Sequence, residues 1–215
     1  MKKIKFFTKM QKNFSIFKKI KNHEVVVKRF YYERSKKKIS NLKKIGWGSK
    51  KNQYKRFFLL TKNLKLERSK ILDFGCGYAD LINFLKRKKI KFEYFGYDIN
   101  NEFIKCNKKK FKNTYFLKNF NKIYNLNPDH IVCSGLFTYK TINAKVYNKH
   151  IFKILFSVCK KSLSLNFLSK KNKIKLDKNI YFSLKEIRKN FKTFKCKKIF
   201  YYDKNLKEIT VNLIK

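Results

Sequence analysis

This chain has few of the features that mark exported, membrane or zinc-binding proteins. Its cysteines include no Cys-x-x-Cys pair, which excludes the usual zinc spacing and indicates free thiols in a reducing cytosol. The five cysteines are Cys76, Cys106, Cys133, Cys159 and Cys196. The amino-terminal segment is charged, but it has no uninterrupted apolar run long enough for a signal peptide. We expect a cytoplasmic protein with no export signal, no membrane span and no metal site.

Glycine, proline and acidic residues are also scarce. The chain of 215 residues has 6 glycines and 1 proline, and its 13 acidic residues stand against 57 basic ones, for a formal net charge of +44. Nearly all the basic residues are lysines spread over every segment, accompanied by frequent Asn, Ile, Phe and Tyr, a composition that AT-rich codons produce in any protein. Arginine, which suits bidentate phosphate and guanine contacts, is rare. Codon composition explains such a charge, and so does an electrostatic preference for RNA, DNA or an acidic surface. Both interpretations stay open.

The apolar pattern predicts one α/β domain with an amino-terminal appendage. A hydrophobic content of 43% is ample for a core, and no internal repeat or Gly/Ser linker is visible. Residues 1–24 suit an amphipathic helix or a mobile basic arm, and residues 25–44 and 50–64 suit helices that precede the sheet. Strands are predicted at 70–74, 93–97, 114–118, 129–134, 162–168, 196–202 and 207–214. Later helices are predicted at 79–89, 101–110, 145–160 and 183–191.

The most informative stretch runs from Lys70 to Asp80 and predicts a strand, a glycine turn and a helix. Gly75 and Gly77 allow positive φ and let a ligand approach the backbone, while the following helix points unpaired N–H groups towards it. Asp98 follows about 20 residues later, at the end of the next strand, where an acid suits a ribose diol. These features together predict a site for a cofactor that contains a nucleoside.

Two acids in this stretch indicate which cofactor. A dinucleotide site needs a third small residue where the helix packs on its strand, but Asp80 stands there. Asp73 would repel a pyrophosphate, yet its carboxylate could accept hydrogen bonds from an ammonium group. S-adenosylmethionine fits both observations, because it has an ammonium and a sulfonium at one end and a ribose diol at the other.

The segment Ile71–Gly77 resembles motif I of the class I S-adenosylmethionine-dependent methyltransferases, and Tyr97-Asp98-Ile99 resembles their acidic loop. The two strands predicted at the carboxyl terminus resemble the end of that class's sheet, whose last strand is antiparallel. The resemblance covers roughly residues 50–215. It implies a Rossmann-like, mostly parallel seven-stranded sheet with a carboxyl-terminal antiparallel β-hairpin and amino-terminal helices. We therefore divide the chain into a basic helical extension and lid, 1–49, and a methyltransferase domain, 50–215.

The resemblance also implies where S-adenosylmethionine would bind, with no obligatory metal. Asp73 is expected at the methionine end, Asp98 at the ribose hydroxyls and Phe120 near the adenine. The implied cofactor-binding residues are Asp73, Gly75, Cys76, Gly77, Asp98, Ile99, Phe120, Ser134 and Gly135.

The loop after the fourth strand, Cys133-Ser134-Gly135-Leu136, lacks the Asn/Asp-Pro-Pro-Tyr/Phe motif of enzymes that methylate exocyclic amines of nucleic-acid bases. Strand ends face the ligand in such sheets, so Cys133, Ser134 and Gly135 are expected there. A nucleophilic role for Cys133 would need a Pro-Cys context that is missing. His130 lies at the opposite end of the strand, where a structural role is favoured. No general base is identifiable, although four candidates exist, each favoured as structural. They are Tyr31, Tyr32, Glu33 and Tyr139.

One cluster upstream is not explained by composition: Ile45-Gly46-Trp47-Gly48-Ser49, followed by Gln53 and Arg56. One interpretation is a hydrophobic clamp with Ser49 capping the next helix. The other is a lid or substrate site, in which Trp47 shields the sulfonium or the acceptor and Gln53 or Arg56 meets a carboxylate. The Gly-Trp-Gly-Ser stretch resembles one in a little-characterised bacterial group of methyltransferases, which offers no substrate.

The sequence thus predicts an S-adenosylmethionine-dependent methyltransferase. A small-molecule acceptor is favoured, because no recognisable RNA-binding module accompanies the fold. Two alternatives remain, both consistent with the positive charge. One is a methyltransferase that acts on RNA, and the other is a basic nucleic-acid-binding protein with a vestigial cofactor fold.

Overall fold

The computed structural model describes residues 2–215, with side chains from residue 15 onward. The helices are α1 (Lys2–Lys36), α2 (Asn41–Lys44), α3 (Lys50–Thr61), α4 (Asp80–Lys86), α5 (Asn101–Lys110), α6 (Ala144–Val158) and α7 (Leu184–Asn190). The strands are β1 (Ser69–Phe74), β2 (Phe92–Tyr97), β3 (Tyr115–Leu117), β4 (His130–Cys133), β5 (Ser162–Leu168), β6 (Lys197–Asp203) and β7 (Glu208–Ile214). None of the helices in this part of the chain is both long enough and apolar enough to cross a membrane.

The strands form one seven-stranded sheet in the order β3-β2-β1-β4-β5-β7-β6. The first five pair in parallel, and β7 is antiparallel to both β5 and β6. The predicted mostly parallel sheet with a carboxyl-terminal hairpin is confirmed. The chain leaves β1 towards β2 on one side and later returns to place β4 on the other. Because ligands of open α/β sheets bind where the strand order reverses, the carboxyl ends of β1 and β4 are the expected site.

The sheet separates two apolar layers. Helices α1, α6 and α7 cover one face, on which Leu72 and Phe74 are buried, and α3, α4 and α5 cover the other, which contains Ile71. Successive side chains of β1 alternate between the two faces, because a strand has a period of two residues. Both faces of the inner strands are buried, and β4 accordingly reads as an apolar run, whereas β5 and β7 alternate apolar residues with polar residues that are buried too. Asp73 shares the side of Ile71 and is the one acid within this buried strand.

The amino-terminal helix differs from the prediction. The sequence suggested separate elements at 1–24 and 25–44, but α1 continues through this boundary to Lys36. No Gly or Pro interrupts residues 1–45, so nothing in the local sequence ends the helix earlier. The apolar residues at 4–14, which predicted an amphipathic helix, lie outside the described side chains. Ile20 and Val27 are buried, and His23 stacks on Tyr147 of α6 with ring centroids 4.1 Å apart.

Candidate functional site

A cavity lies at the carboxyl ends of β1, β2 and β4, between the sheet and α1. About 900 Å³ of space lies between its wall and its mouth, part of it open to solvent. Its wall combines the β1–α4 turn, the end of β2 and the loop after β4 with residues from α1 and from the segment 45–57. We call it the cofactor cavity.

The β1–α4 turn forms the floor of the cofactor cavity. Gly75 and Gly77 have φ of +83° and +51°, a region that favours glycine. A larger residue would also lack space at position 75, because a Cβ atom on Gly75 would lie 2.8 Å from Leu136 Cδ1. The Gly75 and Cys76 amides both donate to the Tyr97 carbonyl, at 2.7 and 2.9 Å. The turn is therefore tied to β2 while its backbone remains open to the cavity.

Asp98 lies at the end of β2, directly beside this turn. One carboxylate oxygen accepts from the Gly77 amide and the other from the Asn100 amide, both at 2.8 Å. Asp98 is only 8% exposed. Burial raises its pKa to about 6, although the two backbone hydrogen bonds act in the opposite direction. Each carboxylate oxygen can accept a further bond, so Asp98 retains acceptor capacity for two hydroxyl groups.

Asp73 lies deeper, and it is 3% exposed. The Tyr94 hydroxyl donates to its carboxylate at 2.6 Å. Burial raises the pKa of Asp73 to about 7, opposed by the Tyr94 hydrogen bond and reinforced by the charges of Asp98 and Asp80. A cation bound nearby would stabilise the ionised carboxylate, which makes this position suited to a positively charged ligand.

The charge of the cavity wall is opposite to that of the chain. The lining includes four of the chain's 13 acidic residues, Glu24, Asp73, Asp80 and Asp98. Among the side chains described from residue 15 onward, no lysine or arginine lines the wall. Asp80 is partly compensated by the exposed Lys50 ammonium at 3.3 Å. An acidic wall of this kind suits a cation and disfavours a pyrophosphate.

Residues around Trp47 divide between two roles. Trp47 and Gln53 line the cofactor cavity, and the Gln53 amide donates to Asp80 at 3.1 Å. Ser49 instead caps α3, accepting from the Asn52 amide at 3.2 Å, as the capping interpretation expected. Arg56 lies outside this cavity and is engaged by Glu208. The carboxylates that Gln53 and Arg56 meet therefore belong to the protein itself.

Other predicted site residues are placed as follows. Cys76, Ile99, Ser134 and Gly135 line the cofactor cavity with Asp73, Gly75, Gly77 and Asp98. Phe120, expected near the adenine, is absent from the lining and packs on Phe74 and Tyr97 with centroid distances of 5.9 Å.

Cys133, expected to face the ligand, is instead fully buried in the core. Burial raises the pKa of its thiol, which disfavours a nucleophilic thiolate.

Among the candidate bases, only Tyr31 lines the cofactor cavity. Burial and the nearby Asp98 raise the pKa of Tyr31 to about 12, so its hydroxyl stays protonated at neutral pH. His130 lies at the far end of β4, where its ring contacts the Ser162 hydroxyl at 2.8 Å and the Lys65 carbonyl at 3.0 Å. Those two contacts give His130 a structural role that connects β4 to its neighbours.

Sequence reasoning expected a lid from residues 1–49 but missed two of its side chains, both on α1. His23 and Glu24 line the cavity, and His23 Nδ1 lies 2.7 Å from the Thr141 hydroxyl. Burial lowers the pKa of His23 to about 4 and raises that of Glu24. One weak signal was available: within residues 1–28 these are the only titratable side chains other than lysine. No cluster of three or more His, Cys, Asp or Glu suited to a metal occurs among the described residues.

Comparison with known proteins identifies the fold through solved structures. Neither a protein-family model nor a curated protein sequence matches the chain. Magnesium protoporphyrin IX methyltransferase (ChlM) from Synechocystis PCC 6803 with bound SAH shares 14% identity and a TM-score of 0.63, over 89% of this chain and 99% of that one. A SAM-dependent methyltransferase from Aquifex aeolicus has 17% sequence identity and a TM-score of 0.59, over 82% of this chain and 99% of that one. A chain of the Pnkp1/Rnl/Hen1 RNA repair complex has 16% sequence identity and a TM-score of 0.61, over 78% of this chain and 42% of that one. The chain therefore has the fold of class I S-adenosylmethionine-dependent methyltransferases.

Proposed function

We propose that this protein is an S-adenosylmethionine-dependent methyltransferase. The observation that carries the proposal is a wall of four carboxylates beside a glycine turn, with no lysine or arginine among its described residues, in a chain of net charge +44. The similar ChlM structure contains SAH, the demethylated form of that cofactor. We also propose a cytoplasmic location for this chain, with which its own five free cysteines agree.

The residues present fit this cofactor group by group. Asp73 is available for the methionine ammonium, and Asp98 for the ribose hydroxyls. Gly75 and Gly77 leave room for the ligand next to the backbone. Two buried polar atoms of the wall, Gln53 Oε1 and Ser134 Oγ, have no hydrogen-bond partner within the described protein. Because a buried polar group without a partner is costly, both atoms indicate that a polar ligand completes the site.

The cofactor supplies a methyl group on a sulfonium: transfer forms the bond from acceptor to carbon and breaks the bond from carbon to sulfur, which leaves a neutral thioether. The protein's contribution is alignment and exclusion of water. The apolar side chains of Val27, Phe57 and Phe103 line the cavity and would help to exclude water. The carboxylates favour the positively charged donor over the product, in which the sulfur is neutral, and this difference aids product release.

We further propose that residues 1–49 form an extension and lid over the domain 50–215. His23, Glu24 and Trp47 support this, because all three come from the extension and line the cofactor cavity. A cavity covered in this way admits a small acceptor more readily than a folded nucleic acid. RNA is the second candidate acceptor, favoured by the net charge and by the likeness to a chain of an RNA repair complex.

The test is calorimetric titration of the full chain with S-adenosylmethionine and S-adenosylhomocysteine. We expect micromolar binding by the wild type. Asp98→Asn should bind about 10- to 100-fold more weakly, because hydrogen bonds to a charged acceptor are worth roughly 1.5–3 kcal/mol. Glu93→Gln is the matched control, since Glu93 is exposed at the opposite end of β2. Circular dichroism verifies folding of each variant. A folded wild type that binds neither ligand would overturn the proposed function.

A further inference from the structure

A second cavity adjoins the cofactor cavity on its outer side. It encloses about 830 Å³ out to its mouth and lies between α1, the segment 45–56, the loop after β4 and the loop 168–179. The two cavities share four lining residues, Tyr31, Ile45, Trp47 and Gly135. They therefore meet at one wall, in which the Trp47 indole is the largest side chain.

The indole is held in this wall by direct packing. It lies so close to Gly135 that a Cβ atom added there would be 2.5 Å from Trp47 Cη2. On the indole lies the Arg56 guanidinium, 4.4 Å from the ring centroid. Such a cation over an aromatic ring is attracted by the ring's negative face. Trp47 is thus packed between a loop glycine and an arginine.

A buried hydrogen-bond network connects these two neighbours of Trp47. Arg56 Nε and Nη2 donate to the Glu208 carboxylate at 2.8 and 2.5 Å, and Glu208 is 2% exposed. The Asn166 amide donates to the same carboxylate at 2.7 Å, while its oxygen accepts from the Gly135 amide at 2.7 Å. The contacts form a closed ring from Trp47 through Arg56, Glu208 and Asn166 to Gly135. A ring of this kind fixes the position of the Trp47 indole where the two cavities meet.

The charge of the second cavity is opposite to that of the first. Its charged lining residues are Arg34, Arg56, Lys178 and Glu208, and Arg56 and Glu208 neutralise each other. Arg34 donates to the carbonyl oxygens of Lys43 and Lys44. Neither Arg34 nor Lys178 has a carboxylate within salt-bridge distance among the described side chains. Two uncompensated positive charges therefore face this space.

Aromatic rings form much of the remaining wall of the second cavity. Phe30, Tyr31, Trp47 and Tyr139 all contribute, and the Phe30 and Tyr139 ring centroids lie 4.5 Å apart. Lys178 Nζ is 5.9 Å from the Phe30 ring, at the same end of the cavity. Flat π-systems stack favourably on such side chains, and an anionic group would meet the lysine and the arginine.

We propose that the second cavity binds the methyl acceptor, and that this acceptor is a flat aromatic molecule with an anionic group. The proposal rests on the proposed function of the cofactor cavity. The acceptor's nucleophilic atom would meet the methyl carbon at the shared wall, beside Trp47. Its electron pair forms the new bond to carbon, the electrons of the broken bond return to sulfur, and its proton leaves to solvent through the cavity mouth. An aromatic acid and a nucleotide at an RNA end share this chemistry.

Trp47 is the only tryptophan of the chain, so tryptophan fluorescence reports on the shared wall alone. The full chain, saturated with S-adenosylhomocysteine, is titrated with 4-hydroxybenzoate and with uridine monophosphate. Their uncharged counterparts, 4-hydroxybenzamide and uridine, measure the contribution of the anionic group. Lys178→Met removes one cavity charge, and Lys175→Met is the matched control, because it lies in the same exposed loop but outside the lining.

We expect a saturable fluorescence change with at least one anionic probe, and the probe that binds identifies the source of the acceptor. The uncharged counterpart and the Lys178→Met variant should both bind about tenfold more weakly, as the loss of one charge-assisted contact predicts. Lys175→Met should match the wild type. Equal binding of charged and uncharged probes, no change with any probe, or no effect of Lys178→Met would overturn this proposal while leaving S-adenosylhomocysteine binding intact. Failure to bind S-adenosylhomocysteine would overturn the proposed function instead.

Discussion

Two buried carboxylates in the cofactor cavity make the stability of the free protein depend on pH. Burial raises the pKa of Asp73 from 3.8 to about 7 and that of Asp98 from 3.8 to about 6. The folded protein therefore holds these protons more tightly than the unfolded chain does. Their contribution to stability is fully present below about pH 4 and is lost as the pH rises through 6 to 7.

The size of this effect follows from the two pKa values of each group. Between about pH 5 and pH 8, an aspartate with a pKa of 3.8 unfolded and about 7 folded loses roughly 2–3 kcal/mol of stabilisation. The corresponding loss for Asp98, with a folded pKa of about 6, is roughly 1 kcal/mol. Asp73→Asn keeps an acceptor for the Tyr94 hydroxyl and removes the larger of the two contributions.

Urea denaturation at both pH values measures this difference. The free energy of unfolding of the wild type should fall by roughly 2–3 kcal/mol more than that of Asp73→Asn as the pH rises. Under the proposed function, saturating S-adenosylmethionine should reduce the fall, since its ammonium group would stabilise the ionised Asp73. Glu93→Gln, an exposed change on β2, should follow the wild type. Parallel pH profiles for the wild type and Asp73→Asn would refute the assignment of a raised pKa to Asp73.

Two further variants test residues outside the cofactor cavity. His130→Ala should lower the free energy of unfolding by about 1–3 kcal/mol, because the buried Ser162 hydroxyl loses its partner, and should leave cofactor affinity unchanged in calorimetry. A large loss of affinity would contradict a purely structural His130. Glu208→Gln should cost about 3–5 kcal/mol in urea denaturation and shift the emission of Trp47, because it leaves the Arg56 charge buried without a counter-charge. An unchanged emission would contradict the closed ring of contacts.

Much of the fold could be predicted because its signals are local. Strands buried on both faces read as short apolar runs, and all seven lie within one or two residues of their predicted positions. The glycine turn and the two acids, Asp73 and Asp98, were also predictable, since their spacing along one βαβ unit sets their separation in space. What the sequence did not show is that Glu24 of α1 joins these acids, because Glu24 lies far from them along the chain.

Where the structure places a residue differently from the expectation, the deciding contacts join distant parts of the chain. Phe120 follows β3 as expected, but packing on Phe74 and Tyr97 takes it out of the lining. Arg56 resembled a substrate ligand until its partner was known, and that partner is 152 positions away. No periodicity or motif encodes such a pair, since it depends on how β7 inserts between β5 and β6.

The sequence by itself determined the fold class, the cofactor turn and the acids that flank it, because local geometry and strand periodicity specify them. Only the tertiary structure decided that His23 and Glu24 of α1 line the cofactor cavity, with His23 held by Thr141, 118 positions away. It also decided that Trp47 lies where an acidic cavity and a basic one meet. Burial and charge at those places are sums over elements brought together by packing, and a linear pattern does not contain them.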